Sequence, residues 1–171
     1  RVVNLSLGST TADAHISAAV QRAIAAGIVV VASAGNGGNV GDPANYPAAE
    51  PGVIAVASVG QTLARSTFST RATYVALAAP GEAILTTYRT GLYARGDGTS
   101  FAAAHVSAAA ATLLAEGATA AIMRTLLMTT AVDLGPVGTD IQTGAGLLDL
   151  AAARAAIPPP PATTTTTTLP I

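Results

Sequence analysis

The chain has 171 residues, half of them apolar and only 10% charged, with a net charge of −1. Such a length carries one domain with a sizeable core, and the absence of a basic cluster argues against nucleic acid as a partner. Without cysteine there is neither a disulfide framework nor a thiolate metal site. No apolar run reaches the roughly 20 residues that span a bilayer.

Aromatic residues are scarce, and Ala, Val and Leu supply most of the apolar mass. That balance favours close-packed helices and short buried strands. In chain order, Val2–Leu5 reads as a short buried strand followed by a turn-rich Ser6-Leu7-Gly8-Ser9. Over 12–26, Ile16, Ala19, Val20, Ala23 and Ile24 recur at helical spacing, and Gly27 closes the helix. The β-branched run Ile28-Val29-Val30-Val31-Ala32 suits a strand covered on both faces of a parallel sheet. Strand, helix and strand in this order make a βαβ unit.

Residues 35–51 are rich in Gly, Asn and Pro and read as loop, and 53–59 as the next buried strand. Residues 74–78, 83–87 and 92–95 are shorter and more alternating, which predicts an antiparallel excursion. A long Ala-rich helix opens at Gly98-Thr99-Ser100 and ends near Glu116-Gly117. Two further helices are predicted over 119–130 and 147–156. From 158 the chain turns to Pro and Thr, a low-complexity segment with too little apolar surface to pack. The expected division is therefore 1–157 and a tail or linker over 158–171.

Two segments carry chemistry. Gly98-Thr99-Ser100-Phe101-Ala102-Ala103-Ala104-His105-Val106 places a hydroxyl at the start of a long helix. The unpaired N–H groups and dipole of that terminus favour negative charge beside Ser100. On helix-start preferences alone, Thr99 or Ser100 is simply the N-cap. The second segment, Ala34-Gly35-Asn36-Gly37, follows a buried strand. An Asn between glycines is most simply a turn residue. It is equally a side-chain amide at the carboxyl end of a parallel strand, where open α/β sheets bind ligands.

Gly-Thr-Ser followed by small residues and His-Val resembles the nucleophile motif of the subtilase family of serine proteases. Ala34-Gly35-Asn36 resembles that family's oxyanion segment. Asn4-Leu5-Ser6-Leu7-Gly8, Tyr46-Pro47, Phe68-Ser69, Ala79-Pro80-Gly81 and Gly144-Ala145-Gly146-Leu147 resemble further family segments, in family order. The resemblance covers about 2–156. It implies a three-layer α/β fold with a mostly parallel sheet flanked by helices, incomplete at the N-terminus. It further implies a serine endopeptidase acylated on Ser100, with Asn36 as oxyanion donor. Ser6, Leu7, Gly8, Ala34, Gly35 and Asn45 would bind a polypeptide substrate, with Asn45 near the base of the primary pocket. His105 carries over as a helix residue, not the base.

Some residues depart from the family pattern. The family's Asp-Thr/Ser-Gly turn and His-Gly-Thr-His helix have no match, so the catalytic Asp and His are expected upstream of Arg1. This chain alone is expected to be inactive, with the missing N-terminal half as a partner. A degenerate, non-catalytic binding module is the alternative. Ala104 stands where the family usually has Pro, and Ala108 where it usually has Gly. Neither change is fatal to catalysis. No cofactor is expected, and calcium, which relatives often bind, has no assignable site. The resemblance and the Pro/Thr-rich tail imply a secreted or cell-surface setting.

Overall fold

The computed structural model describes residues 1–159. Most of the predicted tail lies outside the described residues. Four strands, β1 (Val2–Leu5), β2 (Val29–Ser33), β3 (Ile54–Val59) and β4 (Val75–Pro80), form a parallel sheet in the order β1-β2-β3-β4. The helices are α1 (Ala14–Ala25), α2 (Thr99–Ala115), α3 (Ala120–Thr129) and α4 (Leu150–Ala155). Two further strands, β5 (Ile84–Thr87) and β6 (Tyr93–Gly96), pair as an antiparallel hairpin between β4 and α2.

Because every residue of β2 and β3 is buried, both faces of the sheet must be covered. Alternation sorts the side chains. Val29, Val31, Ile54 and Val56 face α2 and α3, meeting Ala103, Val106, Ala110, Leu113 and Met123. Val30, Ala32 and Ala55 face the other way, onto Val20, Ala23 and Ile24 of α1. Asp13 starts α1 by accepting the N–H groups of His15 and Ile16 at 2.8 and 3.0 Å. The small alanines of α2 let that helix lie close against all four strands.

Two elements differ from their sequence reading. Residues 74–78 are not part of the antiparallel excursion; β4 extends the parallel sheet, and only β5 and β6 leave it. Alanine blurred the pattern there: Val75-Ala76-Leu77-Ala78-Ala79 is buried throughout and has no solvent face. The last helix begins at Leu150 rather than near 147. The residues before it lie along β4, with Ala78 donating to Gly146 at 2.8 Å and Leu148 donating to Ala78 at 2.9 Å. Asp149 then caps α4 by accepting Ala152 N–H. One edge of the sheet is thus closed by 145–148. The outer edge of β1 has no neighbouring strand among the described residues.

Leu113 is fully buried between α2 and the sheet, whereas Leu85 on the hairpin is 62% exposed. Leu113→Ala should lower the unfolding free energy by about 2–5 kcal/mol and Leu85→Ala by less than about 0.5 kcal/mol in urea titrations. Equal losses would contradict this placement of the core.

Candidate active site

Parallel strands end on the same side of a sheet, so β1, β2 and β4 deliver their exits to one place. Ser6-Leu7-Gly8 leaves β1, Ala34-Gly35-Asn36 leaves β2, and Gly81 leaves β4. The hairpin then returns the chain to Gly98, whose N–H donates to Gly81 O at 2.8 Å. Gly98 sits at φ 154°, ψ 152°, a conformation closed to residues with a side chain. That turn puts Thr99 and Ser100 in the first turn of α2.

Neither hydroxyl caps the helix. The N-cap is Gly98, without a side-chain cap bond. Thr99, fully buried, donates both its N–H (3.0 Å) and its hydroxyl (2.8 Å) to Asn36 Oδ1. The same hydroxyl accepts Gly35 N–H at 3.3 Å. Two donors demand an oxygen, so the orientation of the amide is fixed: Oδ1 on Thr99, Nδ2 the other way. Asn36 Nδ2 lies 3.4 Å from where a Cβ on Gly98 would stand, and among the described residues it has no acceptor. Ser100 N–H also lacks one, as a first-turn amide does. Two unspent N–H donors, Asn36 Nδ2 and Ser100 N–H, thus lie side by side at Gly98, 3.4 and 3.7 Å from where its Cβ would stand.

Ser100 Oγ reaches Ser6 O at 3.4 Å, the long end of a hydrogen bond, and Ser6 Oγ donates to Ser100 O at 2.8 Å. Ser6 Oγ in turn accepts Asn4 Nδ2, and Asn4 Oδ1 accepts Ser107 Oγ. This chain of polar contacts lies on the exposed side of α2, which also carries Ala104, His105 and Ala108. The only two histidines are His15 and His105. His105 Nδ1 bonds Phe101 O on its own helix, and His15 is fully exposed beside Asp13. Neither touches Ser100.

The remaining residues divide by what their backbones already do. Leu7 and Gly8 stand past the last ladder pair, Leu5–Ala32, exposed and without backbone partners among the described residues. Ala34 and Gly35 are buried, and both their N–H and C=O groups are engaged internally. They can floor a cleft but have no free donor for a ligand. Asn45 fills the space between Gly8 and Gly35, its amide donating to Ser33 O at 2.8 Å. Tyr74 OH ties this region together, donating to Ala34 O at 2.9 Å and accepting Asn45 N–H at 3.0 Å. Thr70 Oγ1 accepts Gly37 N–H at 3.0 Å, and the Asp42 carboxylate takes both the backbone and the guanidinium of Arg71. The guanidinium holds Asp42 below the usual carboxylate range.

Sequence reasoning missed Thr99, Thr70 and Tyr74 as positioning residues. Only Thr99 had a signal, its place beside Ser100. The Tyr46–Pro47 bond is cis.

Residues 1–146 match the sequence profile of the subtilase family, Peptidase_S8. The chain belongs to the subtilase family. It is 42% identical over 139 residues to thermitase of Thermoactinomyces vulgaris, covering 81% of this chain and 49% of thermitase. It is 38% identical over 156 residues to subtilisin DY of Bacillus licheniformis, covering 89% of this chain and 56% of that protein. The chain therefore spans about half the length of the curated relatives it matches. The solved structure of the S218A mutant of the PatA protease domain superposes with a TM-score of 0.82 at 30% identity, over 91% of this chain and 59% of that one. The α/β fold with its parallel, helix-flanked sheet is thus the subtilase fold.

Subtilases often bind calcium, but among the described residues no three His, Cys, Asp or Glu side chains cluster to hold a metal. No helix there is long and apolar enough to cross a membrane.

Burial pushes the Tyr74 phenol above its ordinary value. All eight basic residues are arginine, so tyrosines are the only side chains that titrate near pH 10. A raised folded pKa contributes stability that is complete below the unfolded value of about 10 and is lost as pH rises through the folded one. The unfolding midpoint should therefore fall above pH ~10, and Tyr74→Phe should flatten that fall. An unchanged slope would exclude the buried phenol as its source.

Proposed function

We propose that Ser100 is the nucleophile of a serine endopeptidase and that Asn36 Nδ2 and Ser100 N–H receive the oxyanion. The observation that carries this is the Thr99 grip on Asn36 Oδ1, which leaves the amide donor unspent at Gly98, next to the free Ser100 N–H. In acyl transfer the serine oxygen attacks the peptide carbonyl while a base takes its proton. The carbonyl oxygen gains negative charge between the two donors. The intermediate then collapses, and the leaving amine takes the proton back from the base. The dipole of the 17-residue helix α2 favours the same charge.

The base is the part this chain does not supply at Ser100. Neither histidine is near, and no segment matches the family's Asp and His motifs. The reading assigns both groups to polypeptide outside these 171 residues, with 1–157 as the part of the catalytic domain carrying nucleophile and oxyanion hole. In it, 158–171 form a separate tail or linker, and the protein works in a secreted or cell-surface setting. Substrate backbone would pair with the free groups of Leu7 and Gly8 beside Ser6. Ala34 and Gly35 would form the floor, and Asn45 would close the base of the primary pocket.

The test has two stages. Alone, the chain should not be labelled rapidly by a fluorophosphonate probe, because Ser100 remains a neutral hydroxyl; rapid stoichiometric labelling would sink the need for an external base. Joined to a segment bearing the family's Asp and His motifs, it should cleave peptides, and Ser100→Ala should abolish acylation. Asn36→Ala should lower kcat about 10²–10³-fold with KM nearly unchanged. A higher KM with kcat intact would make Asn36 a pocket residue. Neither labelling nor turnover in the joined protein would favour a non-catalytic binding module.

A further inference from the structure

At the opposite end of the sheet from Ser100, the strands β2 and β3 begin beside a cavity of about 450 Å³. It is walled by Ile24, Ile28, Val29, Ile54 and Met123, and it contains one charged side chain, Arg124. The wall is built by the end of α1, the starts of β2 and β3, and the first turns of α3. Its size falls in the range of small-ligand sites, which are mostly apolar with few convergent polar groups.

Arg124 is the unusual member. It is half-buried, and desolvation pushes its guanidinium below its ordinary value. Elsewhere Arg71 and Arg154 meet carboxylates, but none of the nine acidic residues is within ion-pair distance of Arg124. Its Nη1 donates to Val53 O at 2.8 Å, and its other N–H groups have no acceptor among the described residues. A half-desolvated cation without a counter-charge is costly, and an anion entering the cavity would offset that cost.

The chemistry narrows the anion. A guanidinium fork matches a carboxylate in plane and spacing. One cation suits a single negative charge better than a phosphate dianion. Aliphatic walls suit an unfunctionalised tail. We propose that this cavity binds a small monocarboxylate with an apolar tail, the carboxylate on Arg124 and the tail against the partly exposed Ile24 and Ile28. The site is independent of Ser100 and does not rest on the proposed catalytic reading.

Octanoate is the probe, with octanol as its uncharged counterpart, titrated into the full chain by calorimetry and by methyl NMR. Octanoate should bind saturably, with shifts concentrated at the Ile24 and Ile28 methyls of the cavity. Arg124→Met should weaken its Kd by about tenfold or more, the worth of a charge-assisted hydrogen bond, while octanol stays weak in both proteins. Ala121→Phe, at an exposed helical position on the rim, should block octanoate with Arg124 intact, and it decides the matter if Arg124→Met fails to fold. Equal binding of octanol, wild-type affinity in both variants, shifts elsewhere, or no saturable binding would each overturn the proposal.

Discussion

Two segments that are 63 residues apart in sequence meet on one oxygen atom, Asn36 Oδ1, and the organisation of the site follows from that meeting. Thr99 spends both of its donors there, and its hydroxyl accepts from Gly35 in return. An amide held by one bond can turn over; one held by a backbone N–H and a hydroxyl together cannot without losing both. The consequence is a side-chain N–H fixed before any charge appears near it. Donors oriented in advance stabilise a developing anion without reorganising at the moment of reaction. The grip needs the unusual backbone of Gly98, which needs the Gly81 carbonyl at the end of β4, so the sheet itself sets the position of the donor.

The same packing explains where the molecule is open. The inner face of α2 is sunk into the sheet through alanines and leucines, while Ala104, His105 and Ala108 on its outer face meet solvent. Next to them, the polar chain Ser107-Asn4-Ser6-Ser100 is exposed, and the outer edge of β1 carries no strand among the described residues. Paired on one side only, β1 presents backbone groups that native sheets usually cover or guard with charge. Ser100 and the open edge therefore share one face. The opposite end of the sheet is different in kind: an apolar hollow with a single cation in its wall.

Much of this was legible because the strongest signals were periodic or contiguous. The valine run of β2 has no polar position, so its burial on both faces could be read directly. Helix α1 announced itself by the spacing of its apolar positions and by Gly27 after it. The Gly-Thr-Ser and Ala-Gly-Asn segments were legible as motifs, though the residues alone left a cap and a turn as the simpler readings. What stayed hidden depended on distant contacts. Thr99 looked like a cap because nothing local shows a hydroxyl turning away from its own helix to a loop 63 residues back. Tyr74 and Thr70 act through backbone groups of the 34–45 segment, and backbone partners leave no trace in side-chain patterns. The strand β4 was misread because alanine is small enough to pass for either face. Arg124 carries no signal in the sequence; only the absence of a nearby carboxylate in three dimensions sets it apart.

The fixed amide is the element on which the rest turns, and side-chain amide ¹⁵N relaxation with NOE measurement on the labelled chain addresses it directly. Asn39, exposed in the same loop and without a side-chain hydrogen bond among the described residues, is the internal reference. A locked Asn36 should show an Nδ2 order parameter near the rigid-backbone value of about 0.85, with NOEs from its amide protons to Gly98. Thr99→Val should drop that value toward that of Asn39, expected in the flexible range below about 0.6. An Asn36 amide as mobile as Asn39 in the unaltered chain, or one indifferent to Thr99→Val, would contradict a donor oriented in advance.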